Sequence, residues 1–148
     1  WKLHEESLMQ EEQMRILGGL TQFKQSELLQ ETLERSISDQ VRTPETISVV
    51  SRIASNRHGR DLSWEFIKEN WREFDRRYGE GGFGLMQLVS AVGGFTSEER
   101  LNDVETFFSE TSVPSAERTI RQSLERIRLN IAWIDRNRQS LETWSGSG

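Results

Sequence analysis

The chain has no cysteine, which excludes a disulfide framework and any thiolate metal site. Histidine is almost as scarce. His4 and His58 lie far apart in sequence and neither belongs to a His-Glu-x-x-His arrangement, so no zinc-hydrolase motif is legible and no cofactor is expected within the segment itself. No apolar run approaches the ~20 residues that span a bilayer, no signal-peptide pattern opens the chain, and no Asn-x-Ser/Thr sequon occurs. These absences lead us to expect a cytoplasmic protein with no membrane partner. A concentrated basic field is missing too: with a net charge of -5 and interspersed signs, the chain gives no reason to expect a nucleic-acid partner.

Only Pro44 and Pro114 interrupt the 148 residues, β-alternating runs are few, and Glu, Leu, Arg and Gln are abundant. That combination predicts an all-α protein. The length suits one domain with a core of its own. The chain starts at Trp1 and closes on Ser-Gly-Ser-Gly, so we expect a fragment in which residues 1–144 form the domain and 145–148 are an appended tail.

The strongest pattern runs from Ser115 to Trp144. Ala116, Ile120, Leu124, Ile127, Ile131, Ile134 and Leu141 form one stripe at helical spacing, entered after Pro114 with Ser115 as a cap and Glu117 at the positive helix end. Leu129, Trp133 and Trp144 form a second line roughly opposite, as on a helix packed on two sides; scattered exposed apolar residues would look the same.

Upstream, the segment to about Leu20 reads as a polar helix with an apolar edge that stops at Gly18-Gly19. A second helix carries Leu28, Leu29, Leu33 and Ile37, with Ser26 as a possible cap. A third enters through Thr43 at the cap and Pro44 at the first helical position, then carries Ile47, Val50, Ile53 and Ala54. The next stripe, Trp64, Ile67, Trp71, Phe74 and Tyr78, predicts one aromatic-rich core helix. Gly79-Glu80-Gly81-Gly82-Phe83-Gly84 matches GxGxxG, but no strand precedes it, so it reads as a helix-to-helix turn and not as a dinucleotide fingerprint. A short apolar helix follows, with Phe83, Met86, Leu88, Val89 and Val92, and stops at Gly93-Gly94. Thr96 and Glu99 suggest a capping box for a helix carrying Leu101, Val104, Phe107 and Phe108. The expected architecture is antiparallel helix pairs stacked as a curved solenoid, a superhelix of the HEAT or armadillo kind, although no repeat of fixed period is visible.

Acid pairs such as Glu11-Glu12 and Glu98-Glu99 are explained by solvated helix starts, and no serine has a histidine partner arrangement. Basic groups offer more. Arg57, His58 and Arg60 cluster before a helix start, while Arg121 and Arg128 lie one above the other along the terminal helix. Either set could hold a peptide carboxylate bidentately. The alternative is a solvated loop and ordinary ion pairs, Arg121 with Glu117 or Glu125 and Arg128 with Glu125.

The run Gly59-Arg60-x-Leu62-x-Trp64-x-Phe66-Ile67-Lys68-x-Asn70-Trp71 carries a resemblance. It continues through Gly82-Phe83, Phe107-Phe108, Pro114-Ser115-Ala116-Glu117-Arg118-Thr119-Ile120-x-Gln122 and Leu129-Asn130-x-Ala132-Trp133. Together these resemble the C-terminal helical domain of the zinc-dependent aminopeptidases, most of all the puromycin-sensitive type and its fungal relatives, from about Gln10 to Trp144. The resemblance implies a non-catalytic domain that caps the active-site chamber, with peptide substrate and the other domains of the parent as partners. Zinc and the catalytic residues would lie in those other domains. Where such relatives often carry a basic residue after the Gly-Phe pair, this chain has Gln87. The alternative is a stand-alone helical scaffold that binds a partner protein or peptide.

Overall fold

Burial in this chain is carried by helices that pack mostly on their neighbours in sequence. The structure is a computed structural model that describes residues 1–80 and 82–145, apart from the side chains of Leu141 and Ser145. Among the described residues it is all-α. The helices are α1 (Lys2–Glu6), α2 (Gln10–Leu20), α3 (Ser26–Ser36), α4 (Thr43–Ser55), α5 (Arg60–Glu69), α6 (Trp71–Tyr78), α7 (Phe83–Ala91), α8 (Glu98–Glu110) and α9 (Glu117–Ser145). Short 3₁₀ turns occupy Val92–Gly94 and Pro114–Ala116.

The contacts run in two rows. In one, α2 packs on α4, α4 on α7, and α7 on α9; in the other, α3 meets α5, while side chains of α5 reach α8. Cross-contacts α3 to α4, α4 to α5 and α8 to α9 join the rows into one core. Trp64, Phe74, Ile53, Ile67, Leu88 and Ile127 are among its fully buried side chains, and each stabilises the fold by about 1.5–3 kcal/mol relative to an exposed one. Trp64 and Trp71 both meet the rings of Phe107 and Phe108, at centroid distances of 5.3–5.9 Å.

Several local expectations need correction. The aromatic stripe belongs to two helices: Asn70 leaves helical geometry at φ -105° and ψ 15°, and its Nδ2 donates to the Phe66 carbonyl at 2.9 Å. That side-chain bond offers the backbone a way out of the helix, yet the bend preserves the stripe's facing. Gly18-Gly19 does not stop α2, which continues to Leu20 and closes where the Thr21 hydroxyl donates to the Gly18 carbonyl. Ser97, not Thr96, caps α8, its Oγ accepting from the Arg100 N–H at 3.3 Å. Thr43 and Ser26 are already helical, and Ser115 lies within a 3₁₀ turn instead of capping α9. Phe83 is 74% exposed, and Leu85 fills the core position on α7.

Two glycines are required by geometry. A Cβ on Gly59 would lie 2.4 Å from Ile53 Cγ2, so its absence lets the start of α5 close on α4. Gly82 has φ +65°, the left-handed region that favours glycine, as it begins α7. The preceding Gly81 of the GxGxxG match lies outside the described residues, but Gly79 and Gly82 both join α6 to α7, in a helix-to-helix connection.

Candidate functional site

The predicted basic residues fall into separate environments. Asn56 organises the Arg57–Arg60 loop: its Oδ1 accepts the His58 N–H at 3.0 Å, and its Nδ2 donates to the Thr21 and Phe23 carbonyls. Arg57 and His58 are exposed, while Arg60 is half-buried, donating from Nε to the Ala54 carbonyl at 3.4 Å and lying against Gly94. Arg128 does not pair with Glu125; it pairs with Glu105 of α8. Arg121 is exposed and makes no ion pair among the described residues.

A different arginine lines an open groove between α7 and α9. Ser90 of α7 and Thr119, Gln122, Ser123, Glu125, Arg126 and Leu129 of α9 line an open cavity of about 370 Å³. Local hydrogen bonds fix its floor. Ser123 Oγ donates to the Val89 carbonyl at 2.9 Å, and Asn130 Nδ2 donates to the Gly93 and Phe95 carbonyls, each at 3.1 Å. Arg60 and Arg126 therefore flank the same turn, on Gly94 and Gly93 respectively, whereas Arg128 faces α8. Sequence reasoning passed over Arg126. Its spacing of three or four from Gln122 and Leu129 was a signal, but the groove exists only because α7 lies alongside. Gln87 is exposed on α7, one turn before Ser90.

The second line of α9 is solvent-facing: Leu129 is 63% exposed and Trp133 52%. Among the described residues no group of three or more His, Asp or Glu side chains could hold a metal ion, and no helix is long and apolar enough to cross a membrane.

Charge concentrates between α5 and α8. Asp103 accepts from Trp64 Nε1 at 2.7 Å, from Lys68 Nζ at 2.9 Å and from Arg100 at 3.2 Å, while Arg100 also reaches Asp61 and Glu65. Burial alone would raise the Asp103 carboxyl, but the hydrogen bonds from Lys68 and Trp64 hold it below its ordinary range. Lys68 mirrors this: burial opposes its charge, and hydrogen bonds to Asp103 and Glu65 raise its pKa nonetheless. Because these partners satisfy one another, the network reads as a clamp between helices with no free group for chemistry.

Residues 1–129 match the family model described as the ERAP1-like C-terminal domain. The chain belongs to this family, the helical C-terminal domains of M1 aminopeptidases. Aminopeptidase M1 of Arabidopsis thaliana is 32% identical to this ERAP1-like domain over 135 residues, covering 90% of the chain and 15% of the relative. Aminopeptidase Ey of Gallus gallus is 32% identical over 149 residues, covering 97% and 15%. Endoplasmic reticulum aminopeptidase 2 of Homo sapiens is 29% identical over 144 residues, covering 95% and 15%. The chain thus spans about 15% of the length of the curated relatives it matches.

Proposed function

We propose that this ERAP1-like domain is the non-catalytic C-terminal part of a zinc metallo-aminopeptidase of the puromycin-sensitive type, which removes N-terminal residues from peptides in the cytoplasm. In this reading residues 1–144 form a curved solenoid that caps the active-site chamber, contacts the parent's other domains and takes part in peptide access and selection. Residues 146–148 of the assigned tail lie outside the described residues. Zinc and the catalytic groups belong to the parent's other domains. Arg121, Arg128, Arg57, His58 and Arg60 are the candidate contacts for the distal end of a peptide.

The observation that carries the reading is the family match across residues 1–129, together with relatives that are named aminopeptidases. The exposed Leu129 and Trp133 give α9 a surface suited to another domain. The test compares the whole parent enzyme with a form lacking this domain, on a single-residue aminoacyl-coumarin and on a decapeptide. Deletion should change the ratio of decapeptide to coumarin turnover, and the isolated chain with added zinc should hydrolyse neither. An unchanged ratio, or zinc-dependent hydrolysis by the isolated chain, would overturn the reading.

A further inference from the structure

Pro44 follows a threonine and Pro114 follows Val113, so Thr43-Pro44 is the single Ser/Thr-Pro pair of the sequence. Thr43 begins α4, a helix of 13 residues, and is exposed. Its hydroxyl makes no hydrogen bond among the described residues, and no side chain caps the helix. A residue before proline is disfavoured in the helical region, so the helical state of Thr43 is weakly held, while burial in α4 begins only at Glu45.

Thr43 also lines an open pocket of about 550 Å³, together with Ser38, Asp39, Arg42, Arg76 and Arg77, between the α3–α4 connection and the end of α6. Three guanidinium groups share this pocket with one carboxylate. Two of them are already oriented. Arg76 donates from Nε and Nη2 to Glu73, at 2.8 and 2.6 Å, and Arg77 donates from Nε to Glu73 and from Nη2 to the Ile37 carbonyl at 2.8 Å. In both, Nη1 is left without an acceptor among the described residues. Arg42 is held more loosely, 3.6 Å from Glu45. The Tyr78 hydroxyl joins the two walls by donating to the Thr43 carbonyl at 2.5 Å. Glu73 offsets part of the positive charge and Asp39 opposes an anion, so a singly charged group would gain little here. A phosphate monoester brings three acceptor oxygens and a charge of about −1.5 to −2, enough to engage several guanidinium groups at once.

We propose that Thr43 is a phosphorylation site for a proline-directed protein kinase, and that Arg42, Arg76 and Arg77 hold the resulting phosphate, fastening the start of α4 to the end of α6. The Thr43 hydroxyl oxygen forms a bond to the γ-phosphorus of ATP, the bond from that phosphorus to the β–γ bridging oxygen breaks, ADP leaves, and the hydroxyl proton passes to the kinase's catalytic base. The product lies at the positive end of α4, so the helix dipole favours the added charge as well. The proposal rests on the cytoplasmic reading above only for access to ATP, which the experiment supplies directly.

The experiment incubates the 148-residue chain with a purified mitogen-activated protein kinase and Mg²⁺-ATP, and reads the product by mass spectrometry and ³¹P NMR. One phosphate should enter at Thr43, and none there in Thr43→Ala or Pro44→Ala. Its ³¹P resonance should titrate about one pH unit below the ~6 of a free phosphothreonine, because neighbouring cations favour the dianion. Arg42→Gln and Arg76→Gln should each move that midpoint back toward the free value; both side chains are exposed, so the unmodified variants should fold as wild type does. Phosphorylation should raise the melting temperature of the wild type more than that of the variant carrying both substitutions. A peptide of residues 38–48 is the control for the kinase. Modification of the peptide but not of the chain would show that the fold withholds Thr43 and overturns the proposal, as does modification of neither. Incorporation that survives Thr43→Ala overturns the assignment of the acceptor. A midpoint of about 6 that neither arginine substitution moves overturns the cradle, even with Thr43 modified. The lid reading is judged separately, by the turnover comparison.

Discussion

Replacing Asp103 by Ala should destabilise the domain well beyond what a half-exposed surface carboxylate usually costs. The reason is Trp64, whose side chain is 1% exposed and whose indole N–H donates to Asp103 at 2.7 Å. Alanine leaves that N–H buried with no acceptor in its present position, at a cost of about 1–3 kcal/mol. The partly exposed ion pairs with Lys68 and Arg100 add less, about 0.2–1 kcal/mol each, since both cations keep Glu65. We therefore expect a loss of about 2–3 kcal/mol for Asp103→Ala, or roughly 5–10 °C in Tm for a chain of this size. Asp103→Asn keeps an oxygen for the indole and loses only the charge, so it should cost about 1 kcal/mol or less. Urea melts followed by circular dichroism measure both. High salt should shrink the ion-pair part of the cost, which both variants share, and leave the extra cost of the Ala variant in place, because an orphaned N–H is not screened. The sign with pH is fixed as well. The folded carboxyl lies below the ordinary 3.8, so its contribution is complete above that value and is lost as pH falls through the lower, folded one. Equal stabilities for the Ala and Asn variants would refute the argument. A Trp64→Phe background, which deletes the donor, should remove most of the difference between them; persistence of the difference would refute it too.

Gly59→Ala should destabilise by about 1–3 kcal/mol, because the new methyl would meet both Ile53 Cγ2 at 2.4 Å and the rigid Ile53 carbonyl at 2.9 Å. A thermal melt indistinguishable from wild type would show that α4 and α5 are less closely apposed. Glu73, hydrogen-bonded by Arg76 and Arg77, should titrate at about 2 instead of the ordinary 4.5, its contribution to stability being present above the ordinary value and lost as pH falls through about 2. Carboxyl chemical shifts across an acid titration check this. A midpoint near 4.5 would mean that the two arginines do not hold it in solution.

Much of the helical scaffold was legible before any coordinates. Trp64, Ile67, Trp71 and Phe74 repeat at helical spacing and all are buried, as are Ile127 and Ile131 on α9, because burial against a core imposes periodicity on sequence. What escaped were features resting on one side-chain bond. Asn70 splits the aromatic helix through a bond to Phe66, and Ser97 replaces Thr96 as a cap through one oxygen on one N–H. Either residue type is compatible with both outcomes from sequence alone.

The division is therefore a physical one. By itself the sequence determined the all-α class, the main buried stripes, the absence of cysteine chemistry and the resemblance to a C-terminal aminopeptidase domain, which the family match bears out at that level, since all of these depend on residue type and local spacing. Only tertiary structure decided which charges meet and which remain available. Asp103 reaches Trp64 and Lys68 over 39 and 35 positions of sequence, and Arg128 turns to Glu105 across 23. Arg126 is left beside a groove because α7 and its glycine turn close on that side of α9, and no spacing within one helix encodes which neighbour will lie against it.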